Sequence, residues 1–364
     1  MRIAQIAPLA ESCPPRFYGG TERIVSYLTE ELVEQGHEVT LFASGDSQTA
    51  AELVSCCDVA LRLNPAIKDP IPYHMVMLDR VRRRASEFDV LHFHIDLIHS
   101  PLMHDFIDRT VTTLHGRLDL LDLEPFYTAF PKVPLASISY HQRLPMPAAS
   151  NWAGNVYHGL PRDLLPFSPR PEGYLAFLGR ISPEKRPDRA IEIAVRAGLP
   201  LKIAAKIDKT DEAYWTGVIE PMIKANPLAE YVGEIGDQQK ARFLGGARAL
   251  LFPIDWPEPF GLVMIEAMAC GTPVIAFPSG SVAEVIDEGE TGFVVPDIAT
   301  AVEAVERSGK LDRADVRAHF ERRFTVERMA QSYVDIYSRL AGQATRMAPS
   351  HRVSSQAGGF RLTA

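Results

Sequence analysis

Two carboxylates, two cations and one imidazole are the residues of this chain whose types and settings could do chemistry. Glu258 and Glu266 lie in the run Trp256-Pro-Glu-Pro-Phe-Gly-Leu-Val-Met-Ile-Glu266-Ala-Met-Ala-Cys-Gly-Thr-Pro273, between two apolar stretches that read as buried strands. The pattern predicts a strand-to-helix loop at Glu258 and a helix with Glu266 about a turn inside it. Gly261 between them lets the backbone approach a ligand closely. A helix start offers unpaired N–H groups and a positive dipole end, which favour a phosphate. Carboxylates beside that phosphate would accept hydrogen bonds from neutral, hydroxyl-rich parts of the same ligand. Arg180 and Lys185 follow a predicted strand in Phe177-Leu-Gly-Arg-Ile-Ser-Pro-Glu-Lys185-Arg-Pro-Asp, where two cations can neutralise a diphosphate and stabilise a departing charge. His115 ends another strand at the expected cleft in Thr112-Thr-Leu-His-Gly116, where a lone histidine is either structural or a hydrogen-bonding group. Gly19 and Gly20, in Tyr18-Gly-Gly-Thr21, read either as a backbone that closes over a ligand at a helix start or as a tight turn alone.

Such groups need a scaffold. With 364 residues, 46% of them hydrophobic, the chain is long enough for two domains at roughly 150 residues each. Arg2 to Ala7 reads as a strand, Thr21 to Gln35 as an amphipathic helix ended by Gly36, and Glu38 to Ala43 as a strand, which together make β-α-β and a parallel sheet. Further strands are expected at Val90 to His94, Val111 to His115 and Leu135 to Ser139. Between Trp152 and Glu172 the pattern dissolves into Gly and Pro, which reads as a linker. A second series runs through Tyr174 to Leu178, Leu201 to Ala205, Tyr231 to Val232, Ala249 to Pro253 and Pro273 to Phe277. Pro187 marks a first helical turn, Asp237 an N-cap, Gly271 the residue beyond the helix carrying Glu266, and Thr325 the start of a last helix. The fold expected is α/β, two Rossmann-like doubly wound domains facing across a cleft. Domain one spans 1–160, the linker 161–172 and domain two 173–325. A C-terminal helix over 326–341 packs back toward domain one, and a disordered tail covers 342–364.

The Glu258 to Glu266 run resembles the E-x7-E signature of the retaining glycosyltransferases of GT-B fold, family four (group 1 type), and the likeness extends from Met1 to about Ala341. The resemblance implies a catalytic set of His115, Arg180, Lys185 and Glu258. It implies a donor-binding set of Gly19, Gly20, Arg180, Lys185, Glu234, Ile235, Glu258, Phe260, Gly261, Leu262 and Glu266. Glu258 and His115 would position the donor sugar, Glu266 would hold the ribose, and the segment Tyr231 to Ile235 would read the base. The family usually has Gly after the lysine, and this chain has Arg186, which leaves the choice between Lys185 and Arg186 open, with Lys185 preferred. His158 stands where Asn is common and receives no role. The implied reaction moves a sugar from a nucleoside diphosphate, UDP first and GDP-mannose next, to a hydroxyl on a glycan, lipid or small molecule. No cofactor and no metal are expected, because no Asp-x-Asp pair occurs.

Other readings are narrower. A net charge of −8 argues against nucleic acid as a partner. Cys13, Cys56, Cys57 and Cys270 form no disulfide framework and no metal pair. No apolar run approaches the ~18 residues of a membrane span, and the N-terminus reads as a strand rather than a secretion signal, so the expectation is cytoplasmic. The basic run Arg80, Arg82, Arg83 and Arg84 suits either a solvated helix face or weak contact with an anionic membrane. His92, His94 and Asp96 alternate along a strand and could ligate zinc. A dinucleotide oxidoreductase would need a G-x-G-x-x-G after a first strand, and none is present. A two-domain binding protein and an inactive homologue remain as rival readings. Oligomeric state is not legible.

Overall fold

The computed structural model describes residues 1–16 and 19–347, the side chains of 343–347 aside. Tyr18 and the tail from 348 onward lie outside the described residues. Two parallel sheets organise the chain. The first holds β1 (Arg2–Ile6), β2 (Glu38–Ser44), β3 (Glu52–Cys57), β4 (Val90–Phe93), β5 (Thr110–Thr113), β6 (Leu135–Ser137) and β7 (Trp152–Asn155) in the order β3-β2-β1-β4-β5-β6-β7. The second holds β8 (Tyr174–Arg180), β9 (Leu201–Lys206), β10 (Ala229–Gly233), β11 (Ala247–Phe252), β12 (Val274–Ala276) and β13 (Gly292–Val294) in the order β10-β9-β8-β11-β12-β13. Each sheet starts in its middle, runs outward to one edge and then resumes on the other side. The reversal falls between β1 and β4 and between β8 and β11, and open α/β sheets bind ligands at the carboxyl ends of strands at such a switch point.

Central strands are buried almost throughout because helices cover both faces. β4, for example, is buried along its whole length. The helices that matter below are α1 (Gly20–Glu34), α2 (Ile71–Arg84), α3 (Pro187–Ala197), α4 (Asp237–Gly245), α5 (Leu262–Ala269) and α6 (Val326–Met347). Trp152–Asn155 forms the edge strand β7, although its composition reads as linker. Asp237 is the first residue of α4 rather than its cap. The preceding Gly236 N–H is held by the Gln239 side chain at 3.1 Å, which releases the Asp237 carboxylate for a partner on α1.

The chain crosses between the sheets twice, and the crossings are bonded to each other. Leu160 N–H donates to the Phe324 carbonyl and Val326 N–H to the Leu160 carbonyl, both at 2.9 Å. A Cβ at Gly159 would run into the backbone of Thr325, so only glycine permits this approach. Beyond the second crossing, α6 buries Met329, Tyr333, Ile336 and Tyr337 in one cluster with Ile3, Val90 and Val111 of the first sheet. It continues to Met347, past Ala341.

The arginine run on α2 is engaged throughout. Arg82 pairs with Asp105, Arg83 with Asp79, Arg84 with Glu52 and Glu87, and Arg80 donates to the Ser55 carbonyl. Met77, Leu78 and Val81 form the buried face. No helix among the described residues is long and apolar enough to cross a membrane.

Candidate active site

The second sheet's switch point carries the charged residues. β8 ends at Arg180, and the loop behind it presents Lys185. β11 ends at Phe252, and the loop behind it presents Trp256 and Glu258 before α5 begins. Lys185 Nζ bonds the Glu258 carboxylate and sits 4.6 Å over the Trp256 ring. Trp256 Nε1 donates to the same carboxylate at 3.0 Å. Glu258 is 9% exposed, so the ion pair is shielded from bulk water and its Coulomb attraction is correspondingly stronger. The loop is pinned from below, with Ser279 Oγ on the Trp256 carbonyl at 2.5 Å and Ser281 Oγ on the Phe260 carbonyl at 2.8 Å. Gly261 adopts φ +77° at the N-cap of α5 with no side-chain cap, leaving the first N–H groups of the helix available.

Arg186, the departure from the usual glycine, has φ +54°, a left-handed conformation that explains why glycine suits the position. Its guanidinium turns to Asp188 at 2.7 Å and Asp255 at 2.9 Å, and Lys185 alone of the two reaches Glu258. Arg180 is held by Glu184 at 3.0 Å, with Asp208 and Asp211 at 3.8 Å. Glu266 is 5% exposed and bonds Lys240 Nζ at 2.7 Å. Lys240 also lies 3.4 Å from Asp237, and Asp237 pairs with Arg23 of α1, so a chain of charges ties Glu266 to the opposite domain. Glu234 and Ile235 sit in the loop from β10 to α4, where Ile235 packs against the core that holds Phe260 and Met264.

The first domain supplies the facing wall. α1 starts at Gly20 behind an N-cap, Gly19, with no side-chain cap, and a Cβ at Gly20 would stand 3.8 Å from Leu262, the first residue of α5. Two uncapped helix N-termini therefore meet across the cleft, an arrangement suited to a diphosphate. His115, just past the end of β5, places Nε2 2.9 Å from His94 Nδ1 and stacks on His158 at 5.3 Å between ring centroids. His158 in turn meets Phe260 of the second domain at 5.0 Å. Burial holds the His115 imidazole neutral, its pKa lowered to about 3.

A cavity of about 330 Å³ opens beside His115, lined by Pro8, Thr21, His74, His94, Asp96 and Gly116 among others. Asp96 is open to the cavity and adopts φ +53°. Desolvation by the surrounding protein pushes its carboxyl up to about 6 against a hydrogen bond from the His115 backbone. The zinc reading of this strand is not what the geometry shows. His92 is bonded to Tyr337 and Thr113, and His94 to Gln5 and His115, which occupies all four ring nitrogens. The metal-compatible group among the described residues lies elsewhere, at Asp287, Glu290 and His319, where Arg323 also contacts Asp287 and His319.

Sequence reasoning gave no role to Trp256, Lys240, Arg23 and His158. Trp256 stands two residues before Glu258 and carried a signal in that spacing. Arg23 and Lys240 looked like ordinary helix-face cations. His158 carried none, because its partners, His115 and Phe260, come from distant segments.

The family of glycosyl transferases, group 1, matches residues 166–314, and Glycosyltransferase Family 4 matches residues 18–157. Phosphatidyl-myo-inositol mannosyltransferase of Mycobacterium leprae is 25% identical over 95% of this chain and 99% of its own length. D-inositol 3-phosphate glycosyltransferase of Streptomyces scabiei is 30% identical over 41% of this chain and 34% of its own. Among solved structures, AviGT4, a glycosyltransferase of avilamycin A biosynthesis, superposes with a TM-score of 0.70 at 23% identity, covering 94% of this chain and 98% of that one. HepE of Anabaena, in complex with UDP and glucose, superposes with a TM-score of 0.67 at 18% identity over 93% and 99%.

Proposed function

The chain belongs to the group 1, family 4 glycosyltransferases, and from that premise we propose that it moves a sugar from a nucleoside diphosphate to a hydroxyl acceptor with retention at the anomeric carbon. The observation that carries this reading is the Lys185–Glu258 pair beside the uncapped start of α5. A bound diphosphate takes Lys185 from Glu258, and the released carboxylate accepts hydrogen bonds from the donor sugar. Gly20 and Gly261 bring two helix N-termini to the phosphates, which stabilises the leaving charge. The acceptor oxygen bonds to the anomeric carbon on the face from which the diphosphate departs. The carbon–oxygen bond to phosphate breaks, and a phosphate oxygen receives the acceptor's proton. Glu266 meets the ribose, His115 faces the donor sugar, and the cavity beside it, at Asp96, receives the acceptor, a polyol either free or lipid-linked.

UDP is the first choice of donor base, supported by UDP in the HepE complex. GDP-mannose is the second reading, favoured by the mannosyltransferase relatives that span the chain. Thermal unfolding with UDP, GDP, ADP and NAD in turn, each with EDTA, separates them. A ligand at a hundred times its dissociation constant adds about 2.7 kcal/mol, a shift of several degrees. Stabilisation by one nucleoside diphosphate, undiminished by EDTA, is the expected result. Stabilisation by NAD alone overturns the reading.

A further inference from the structure

Gln5 is a polar residue in the middle of β1, fully buried among Ala4, Ile6 and the rest of the core. Its amide sits in a continuous chain of hydrogen bonds. Nε2 donates to Tyr337 OH at 3.2 Å, and Oε1 lies 2.8 Å from His94 Nε2. Tyr337 OH lies 2.6 Å from His92 Nδ1, and His92 Nε2 lies 2.7 Å from Thr113 Oγ1. At the cleft end, His94 Nδ1 faces His115 Nε2 at 2.9 Å.

An amide has one donating end and one accepting end, so Gln5 gives this chain a direction. Its oxygen requires hydrogen on His94 Nε2. A neutral imidazole then has a bare Nδ1, and burial keeps His94 neutral. That bare nitrogen requires hydrogen on His115 Nε2, which leaves His115 Nδ1 bare. His115 Nδ1 is buried with no hydrogen-bond partner in the structure. Reversing the amide would reverse every bond and leave an N–H unpaired at that atom, and buried orphan N–H groups are the rarer and costlier case. Hydrogen on His115 Nε2, with Nδ1 bare, is therefore the favoured arrangement.

We infer that Gln5 and His94 act as positioning residues that lock His115 in the Nε2–H tautomer, so that the imidazole offers the transferred sugar a hydrogen-bond acceptor and selects for a hydroxyl at the facing position. The inference rests on the proposed reading that His115 faces the donor sugar. A hydroxyl can supply the missing hydrogen, whereas an ether, a carbonyl or a fluorine cannot. His158 stacks on His115, and Phe260 of the second domain packs against His158, so the sugar enters when the domains part, and the lone pair gains its partner as they close.

Nitrogen-detected NMR of the full chain labelled with 15N-histidine reads the tautomer directly, with His115→Asn identifying the resonance. The expected result is an unprotonated Nδ1 and a protonated Nε2 at His115 from pH 6 to 8. Gln5→Leu removes the acceptor for His94, and His115 is then expected to populate both tautomers, with kcat falling on the order of tenfold to a hundredfold and KM changing less. Gln5→Glu keeps an acceptor facing His94 and restores both the tautomer and kcat. Donor analogues with fluorine in place of one hydroxyl at a time should show one position where fluorine is as poor as hydrogen, and Gln5→Leu should flatten that contrast. A protonated Nδ1 at His115 in the unsubstituted protein overturns the inference, whether or not any variant folds. So does a Gln5→Leu protein with the tautomer and the analogue pattern unchanged. Absence of turnover with every donor would count against the glycosyltransferase reading instead, because the tautomer measurement needs no activity.

Discussion

The two walls of the cleft are built from different chemistry. On the second domain the functional groups are ions, and each is already matched: Lys185 to Glu258, Lys240 to Glu266, and Arg180 to Glu184 with Asp208 and Asp211 nearby. On the first domain they are neutral imidazoles, an amide and hydroxyls, bonded head to tail from Tyr337 to His115. The difference teaches what each wall is shaped to receive. A diphosphate can exchange one anion for another at a preformed cation site without leaving a buried charge bare. A sugar or polyol hydroxyl is better read by neutral groups whose hydrogens are fixed in advance.

The sharpest way to break the contrast is to remove one ion from the charged wall. Lys185→Ala or Glu258→Ala should lower kcat by a factor on the order of 10²–10³, equivalent to about 2.7–4 kcal/mol of transition-state stabilisation, with far-ultraviolet circular dichroism unchanged. Normal turnover in both variants would detach the pair from the chemistry.

Much of that wall was legible because its signals are local. Glu258, Gly261 and Glu266 fall within one loop and helix, and the buried strands on either side are short apolar runs that read clearly. The expected order of elements reproduces the two doubly wound sheets for the same reason. Edge strands were harder to read. Glu52–Cys57 alternates weakly, and Trp152–Asn155 carries a glycine and sits beside prolines and polar residues, so its pairing with β6 comes from tertiary contact rather than propensity. The neutral wall was nearly invisible. Gln5, His92 and Tyr337 are far apart in sequence and meet only because α6 returns to the first sheet. Asp96 stood out only as a candidate metal ligand, and what it faces is a cavity.

Asp96 is an acid lining the cavity on the neutral wall, and its removal sharpens the comparison at the next level. A carboxyl whose folded pKa is raised stabilises the fold while protonated and loses that contribution as pH rises through its folded value, here about 6. Asp96→Asn should therefore raise the melting midpoint by an amount that grows from about pH 4 to pH 6 and levels off above. The same substitution should lower kcat/KM for the acceptor by about tenfold to a hundredfold near pH 7.5, as expected for a lost hydrogen bond to a charged group worth about 1.5–3 kcal/mol. A variant equally active and no more stable at pH 8 would show that the cavity is not where the acceptor binds.

Tyr337→Phe probes whether the neutral wall is also structural. The substitution keeps the ring in its fully buried site but leaves the Gln5 amide N–H and His92 Nδ1 without their shared partner. Unsatisfied buried groups of this kind cost about 1–3 kcal/mol, so the midpoint should fall by a few degrees in calorimetry. An unchanged midpoint would mean that the chain of bonds near α6 is replaceable by water.

The smallest effect is expected at Arg186, which borders the charged wall but points away from it. Its φ of +54° costs about 1–2 kcal/mol for a residue with a Cβ, and its pairs with Asp188 and Asp255 are partly exposed, so each is worth at most about 1 kcal/mol. Arg186→Ala loses the pairs and keeps the strain, whereas Arg186→Gly loses the pairs and relieves it, at the cost of a more flexible unfolded chain. The glycine variant should thus be the more stable of the two by about 1 kcal/mol in urea unfolding, and both should retain kcat within a few-fold because Lys185 keeps its place on Glu258. A large loss of turnover in Arg186→Gly would reverse the assignment and move the phosphate contact from Lys185 to its neighbour, since glycine is the residue that fits this backbone best.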